Sequence, residues 1–363
     1  QSINVHRSYS PNVNQLLRTL TPSQGDNILG CGIEEVLVRT PRKLALKGEL
    51  KIKVGTNKNG TPICARWSSK KAQNVMLANL YPIRDGKTFD NMKCRKVIAP
   101  MQSLSNCWFN TFFVTFFVSD KGRKFFRFLR ELMIVGEHAD GRLISSSKVK
   151  KSLFLLNACI DCSLNPDWWG AVPQMGMLIN TNNIIHSLYH AIPTKDVGSK
   201  LAKVSEWGNP LRYYQQIISY LYNSAGSKGL PRVHLLAINN YEFPSLEESA
   251  MPEVVVCIFQ DAASGEKRRK YKHLTQYAKK SGRSFEYVLD SVIIRDETKS
   301  HFTSCLTCNK EPYIFDGASF GHLIPFNWHG YLNNNRSWQF RKAKQSKRYN
   351  FSTCYQMCFY YRI

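Results

Sequence analysis

Gln102-Ser103-Leu104-Ser105-Asn106-Cys107-Trp108-Phe109-Asn110-Thr111-Phe112-Phe113 is the stretch whose reading decides the fold. A polar loop runs into a strongly apolar, aromatic segment, and a lone cysteine sits at the junction. From Cys107 onward, Trp108, Phe109, Phe112, Phe113, Phe116 and Phe117 recur at helical spacing, which predicts a buried helix with Cys107 in its first turn. The thiolate is the nucleophilic form of cysteine, and the positive end of a helix dipole favours it. Cys107 is therefore a candidate nucleophile, to be activated by a histidine from elsewhere in the chain.

Far downstream, Tyr287–Ile294, Ser300–Leu306 and Tyr313–Gly317 are three short strand-like runs separated by polar turns. They read as an antiparallel meander. His301 opens the second strand and Asp316 closes the third. Adjacent antiparallel strands can set these two side by side, so that the carboxylate orients the imidazole and stabilises its charged form. A thiol on a helix N-terminus facing a His–Asp pair on a sheet is the arrangement of papain-like cysteine peptidases.

These residues resemble the two boxes of the ubiquitin-specific proteases. The family's cysteine box has a polar amide five residues before the nucleophile, an aromatic after it, and Asn three residues on; here these are Gln102, Trp108 and Asn110. Its histidine box has Tyr-x-Leu, a His followed by an aromatic, and an aromatic-x-Phe-Asp ending. The matching positions are Tyr287 with Leu289, His301 with Phe302, and Tyr313, Phe315 and Asp316. The run Met251–Phe259 is similar to the Pro-Glu-hydrophobic strand that precedes the family's histidine box. Leu104 and Ser300 stand where the family usually has glycine, and Pro312 stands near its usual tryptophan.

The resemblance implies an α+β, papain-like fold, a helical thumb against an antiparallel palm, with residues 99–230 as the helical lobe and 231–363 as the β-rich lobe. It implies a cysteine peptidase cutting peptide or isopeptide bonds after the tail of ubiquitin or a similar protein. Cys107 would attack, His301 would shuttle the proton, Asp316 would hold His301, and Gln102 would stabilise the oxyanion. Trp108 and Asn110 would support the box. The alternative is a structural protein, such as an inner virion component, that keeps the fold as a basic binding module.

Outside those boxes, composition sets the bounds. A hydrophobic fraction of 43% with 12% aromatics supplies a real core, so most of the chain is not disordered. The formal charge of +24 exceeds what solubility needs and points to polyanionic company: nucleic acid, an acidic protein surface or anionic lipid headgroups. The run Lys267, Arg268, Arg269, Lys270 and Lys272, with Tyr271 inside it, is the candidate polyanion contact, and a second basic run spans 341–348. The eleven cysteines are odd in number and scattered, which suggests a reducing compartment, cytoplasm or nucleus, rather than a secreted disulfide scaffold. No apolar run reaches the ~20 residues that span a bilayer. The chain begins at Gln1 without Met, as a fragment or processed product does. Abundant Lys, Asn, Ile, Phe and Tyr suit an AT-rich genome such as that of a large DNA virus, with packaging in its virion.

Residues 1–98 read as a polar arm followed by a small β-rich unit, with strand-like Val36–Val38, Leu44–Leu46 and Leu50–Val54 and a hairpin turn at Asn57–Gly60. Helical patterns cover Lys124–Ile134, Val149–Ala158, Ile184–Ala191 and Leu211–Tyr222. Lys121, Arg123, Lys124, Arg127 and Arg130 are expected on an exposed helix face. No metal or cofactor is expected. Cys159-x-x-Cys162 and Cys305-x-x-Cys308 lie in apolar runs without knuckle-like turns and read as buried thiols. His186 and His190 lack the glutamate of a zinc-protease helix, and His322 and His329 read as structural histidines with their hydrogen bonds satisfied.

Overall fold

The computed structural model describes residues 2–3, 31, 50–81, 83–84, 87–88, 92–137, 144, 146–169, 181–225, 235–239, 242–247, 250–263, 271–340 and 347–363. The runs Val36–Val38 and Leu44–Leu46, and Lys267 to Lys270, lie outside these residues.

The strands in chain order are β1 (Ser2–Ile3), β2 (Lys51–Thr56), β3 (Pro62–Arg66), β4 (Ile83–Arg84), β5 (Lys87–Thr88), β6 (Leu235–Asn239), β7 (Val254–Phe259), β8 (Thr275–Lys280), β9 (Arg283–Arg295), β10 (Phe302–Cys308), β11 (Glu311–Phe315), β12 (Ile324–Pro325), β13 (Trp338–Phe340), β14 (Arg348–Tyr349) and β15 (Gln356–Arg362). The helices are α1 (Lys70–Leu80), α2 (Cys107–Phe117), α3 (Asp120–Phe125), α4 (Arg127–Val135), α5 (Ser147–Leu164), α6 (Pro166–Trp169), α7 (Asn182–Ala191) and α8 (Pro210–Ala225).

The fold is mixed α+β. The main sheet runs β12-β11-β10-β9-β15-β7-β6, with β8 also on β9. Within this sheet β6 and β7 pair in parallel and the other described pairs are antiparallel; β1 also runs parallel to β13 in a separate small sheet. The meander expected over 287–317 is β9-β10-β11, in register Ser304 to Ile293 on one side and to Phe315 on the other. Alternation along β10 puts Leu306 and Cys308 against the helices and Cys305 in a second apolar cluster on the far face.

α2 is buried along its whole length. Its Phe112 and Phe116, together with Phe126 between α3 and α4, form a ladder that meets Tyr213 and Tyr214 of α8 and Phe359 of β15. Thr115 of α2 hydrogen-bonds Ser304 of β10 at 2.7 Å, which fixes the helix on the sheet. The carboxylate of Asp120, just past α2, accepts from Asn309 N and Lys310 N at 2.8 Å each. Both residues have positive φ and form the β10–β11 turn.

Several sequence expectations change here. The β-rich unit before residue 98 has the predicted hairpin β2–β3, with Asn57 Oδ1 accepting from Asn59 N and Thr61 N. It also contains α1, capped by Ser69, which accepts from Ala72 N. The single helix expected over Lys124–Ile134 is two helices broken at Phe126. Ser119 caps α3 early, and a Cβ on Gly122 would lie 2.5 Å from Thr115 O, so only glycine lets α3 fold back over α2. Arg123 and Arg130, expected in solvent, are buried. Cys94 pairs with Cys308 and Cys31 with Cys64, so Cys308 is not a free thiol. Cysteines this far apart in sequence carry no spacing signal of their pairing. Among the described residues, no cluster of His, Cys, Asp or Glu could hold a metal ion, and no helix is long and apolar enough to cross a membrane.

Candidate active site

Cys107 is the first residue of α2 and 7% exposed. Its approach loop is held from three sides. Asn106 Oδ1 accepts from Ser103 N at 2.9 Å, and Asn182 of α7 donates to Ser103 O at 3.1 Å. Gln102 N donates to Gly317 O at 2.8 Å. Asn106 Nδ2 donates to Thr181 Oγ1, whose hydroxyl donates to Asn110 Oδ1, at 2.9 and 2.7 Å. Asn110 therefore braces the loop through Thr181. Trp108 is buried between Tyr213, 4.9 Å away ring to ring, and Gly208, where a Cβ would sit 2.3 Å from the indole.

His301 stands at the entrance of β10 and Asp316 at the exit of β11. Both are buried, and His301 Nε2 lies 2.5 Å from Asp316 Oδ1. Cys107 is among the groups whose charge acts on the His301 ring. Burial disfavours a charged ring, but the Asp316 carboxylate, the hydrogen bond to it, and Cys107 together raise the His301 pKa to about 10. The arrangement favours the charged form of the ring.

Each partner is itself held. Asp316 also accepts from Ser319 Oγ at 2.6 Å and Ala318 N at 3.1 Å. The buried Asp296 accepts from His301 N at 2.6 Å and Ser300 N at 2.8 Å, and Asp296 N donates to His301 O at 2.9 Å. Sequence reasoning missed Asp296, although it ends a strand five residues before the histidine, where a loop-closing Asx turn is common.

Of the predicted residues, Cys107, His301 and Asp316 come together, with Trp108 and Asn110 packed behind them. Gln102 lies in the cysteine loop, but its Nε2 donates to Leu104 O at 2.9 Å. Leu104 has φ 58°, the left-handed conformation glycine adopts without cost. Ser300 needs no glycine, because the positive φ falls one residue earlier, at Lys299.

Lys272 is not an exposed polyanion contact. It is buried, its ammonium donates to Phe351 O at 3.3 Å, and it lies over the Phe259 ring. Its aliphatic stem packs inward, as long basic side chains do beside apolar surface. The His186 and His190 rings meet edge to face, 4.4 Å apart, and among the described residues no metal-binding group forms around them. His329 differs from expectation in that its buried Nε2 has no hydrogen-bond partner among the described residues.

No protein-family model and no curated protein matches the chain. Among solved structures, the chain is similar to the SAGA DUB module Ubp8/Sgf11/Sus1/Sgf73 bound to monoubiquitin, with TM-score 0.43, 11% identity, and 97% of this chain and 94% of that chain covered. It is similar to the same module bound to ubiquitin aldehyde, with TM-score 0.42, 10% identity and 99% of both chains covered. A third similar structure is the Ubp8-Sgf11-Sgf73-Sus1 SAGA DUB module, with TM-score 0.43, 12% identity, and 97% and 93% covered.

Proposed function

We propose that this chain is a cysteine peptidase acting on peptide or isopeptide bonds, with the C-terminal tail of ubiquitin or a similar protein as substrate. The observation that carries the reading is the row Cys107, His301, Asp316: a thiol on a helix N-terminus, a histidine interacting with it, and a carboxylate 2.5 Å from that histidine. Packing alone has no use for this set of three polar groups inside an aromatic core.

In this reading Sγ of Cys107 attacks the carbonyl carbon and the C–N bond breaks. His301 gives its proton to the leaving amine, then takes one from the water that hydrolyses the thioester. Asp316 keeps the ring oriented. The first-turn N–H groups of α2, which lack intrahelical acceptors, face developing negative charge. Gln102 becomes an oxyanion donor only by releasing Leu104 O.

The test is a ubiquitin carrying a C-terminal electrophile. Peptide mapping is expected to find the adduct on Cys107 and on none of the other six free cysteines, and Cys107→Ser is expected to abolish it. Labelling spread over several cysteines, or absent while the same probe labels a control peptidase, refutes the reading.

A further inference from the structure

A second concave site lies in the helical part, formed by α1, the turn at Cys94–Lys96, α3, α4 and the α5–α6 corner. It is a cleft of about 260 Å³. None of the three residues of the candidate active site lines it. Its lining holds five basic residues, Lys93, Lys96, Arg123, Arg127 and Arg130, and one carboxylate, Asp167.

Arg130 is 3% exposed. Its Nε donates to Asn157 Oδ1 at 2.9 Å, but Nη2 has no hydrogen-bond acceptor and stands 3.6 Å from Asp161 Oδ1. Asp161 is occupied by other donors: Asn79 and Trp169 on Oδ2, and Asn165 on Oδ1. Trp168, on the cleft wall, has a buried Nε1 that also lacks an acceptor. Two orphaned buried donors in one lining are unusual, since buried polar groups are nearly always paired. Arg127 lies over the Tyr81 ring at 5.1 Å and has no carboxylate partner among the described residues.

Charge narrows the ligand. Of the five cations, Arg123 pairs with Asp120, Arg130 faces Asp161, and Lys96 and Lys93 share Asp167. Five positive charges against three negative leave a surplus of two. A phosphate monoester carries close to two negative charges at neutral pH and only acceptor oxygens toward the protein. The lining offers donors in the complementary form, guanidinium, ammonium and indole N–H. A nucleic-acid strand is better met by an open row of exposed cations with stacking aromatics; here the arginine at the bottom is buried within a concavity.

We propose that this cleft binds the phosphoryl group of a small phosphate monoester. Arg127, Lys93 and Lys96 make the contacts, and Arg130 supplies fixed positive charge from the floor.

The experiment is calorimetric titration of the full chain with phenyl phosphate, beside phenyl sulfate, which has one charge fewer, and a single-stranded oligonucleotide. Phenyl phosphate is expected to bind at least tenfold more tightly than phenyl sulfate. Arg127→Gln and Lys96→Gln, both at partly exposed positions, are each expected to weaken phenyl phosphate at least fivefold, while the rate at which iodoacetamide labels Cys107 stays at the parent value. Equal binding of phosphate and sulfate, affinity unchanged in both variants, or oligonucleotide binding that phenyl phosphate does not displace would each overturn the proposal.

Discussion

The backbone N–H of Gln102 donates to the carbonyl of Gly317 at 2.8 Å. One residue precedes the cysteine loop's strained turn, and the other follows Asp316 directly. This single bond couples the loop that delivers the thiol to the loop that delivers the carboxylate. A Cβ on Gly317 would approach Pro100 O to 3.2 Å and Gln102 N to 3.3 Å. Gly317→Ala is therefore expected to push the loops apart, costing about 1–2 kcal/mol. Thermal melting reads the cost, and iodoacetamide labelling of Cys107 is expected to slow at pH 7 because the imidazole loses its alignment.

Leu104 is expected to tolerate glycine better than itself. Its left-handed backbone costs roughly 1–2 kcal/mol for an L-residue, and its side chain is 51% exposed, so little burial is lost. Glycine's extra unfolded-state freedom takes back about 0.4–1 kcal/mol. Leu104→Gly should raise the urea midpoint by the equivalent of about 0.5–1 kcal/mol without changing the slope.

Much of this was legible in the sequence, and the failures have physical reasons. The Phe-rich spacing after Cys107 announced α2, and alternation with turn residues announced β9–β10–β11. α1 is the weaker signal: Ala72, Met76 and Leu80 recur four apart behind the Ser69 cap, but strand-like runs flank them on the N-terminal side. The burial of Arg130 leaves no sign in the local sequence, because its carboxylate, Asp161, lies 31 residues on; Arg123 is buried against the nearby Asp120 carboxylate and Val118 carbonyl, contacts that follow from the break between α3 and α2 rather than from a helical face. The three chemical residues of the site were readable as types in the right order. The supports Asp296, Thr181 and Gly317 were not, since their value lies in contacts across the fold.

Asp316 should govern the protonation of its neighbour. The His301 pKa is raised from 6.5 to about 10. The stabilisation is fully present below about pH 6.5 and is lost as pH rises through about 10. Asp316→Asn removes the charge, so the ring gives up its proton at lower pH. The variant is expected to melt below the parent at pH 7, with the gap closing above pH 10. Its Cys107 labelling by iodoacetamide should fall several-fold at pH 7, where the parent ring is still charged.

Asp290 acts on stability in the same sense as His301, over a lower pH window. Burial above all raises its pKa from 3.8 to about 7, although Lys121 N donates to it at 3.2 Å. The folded chain holds a proton that the unfolded chain releases, so the contribution is favourable at low pH and is lost between about pH 4 and 7. At 1.36 kcal/mol per pH unit this amounts to at most about 4 kcal/mol. Asp290→Asn should leave stability at pH 4 nearly unchanged and raise it at pH 8; denaturant curves at the two values check the difference.

The Cys94–Cys308 bond encloses both the nucleophile and the base between its ends, 214 residues apart. A protease that cuts the chain once between residues 107 and 301 leaves two fragments, one carrying Cys107 and the other carrying His301. Those fragments remain one molecule. On a gel without reductant the nicked protein should run as a single band, separating into two only when dithiothreitol is added. Until then, Cys107 should keep its labelling rate, because the covalent link preserves the partnership that the broken backbone no longer enforces. Two bands without reductant would mean that the thiols are not joined.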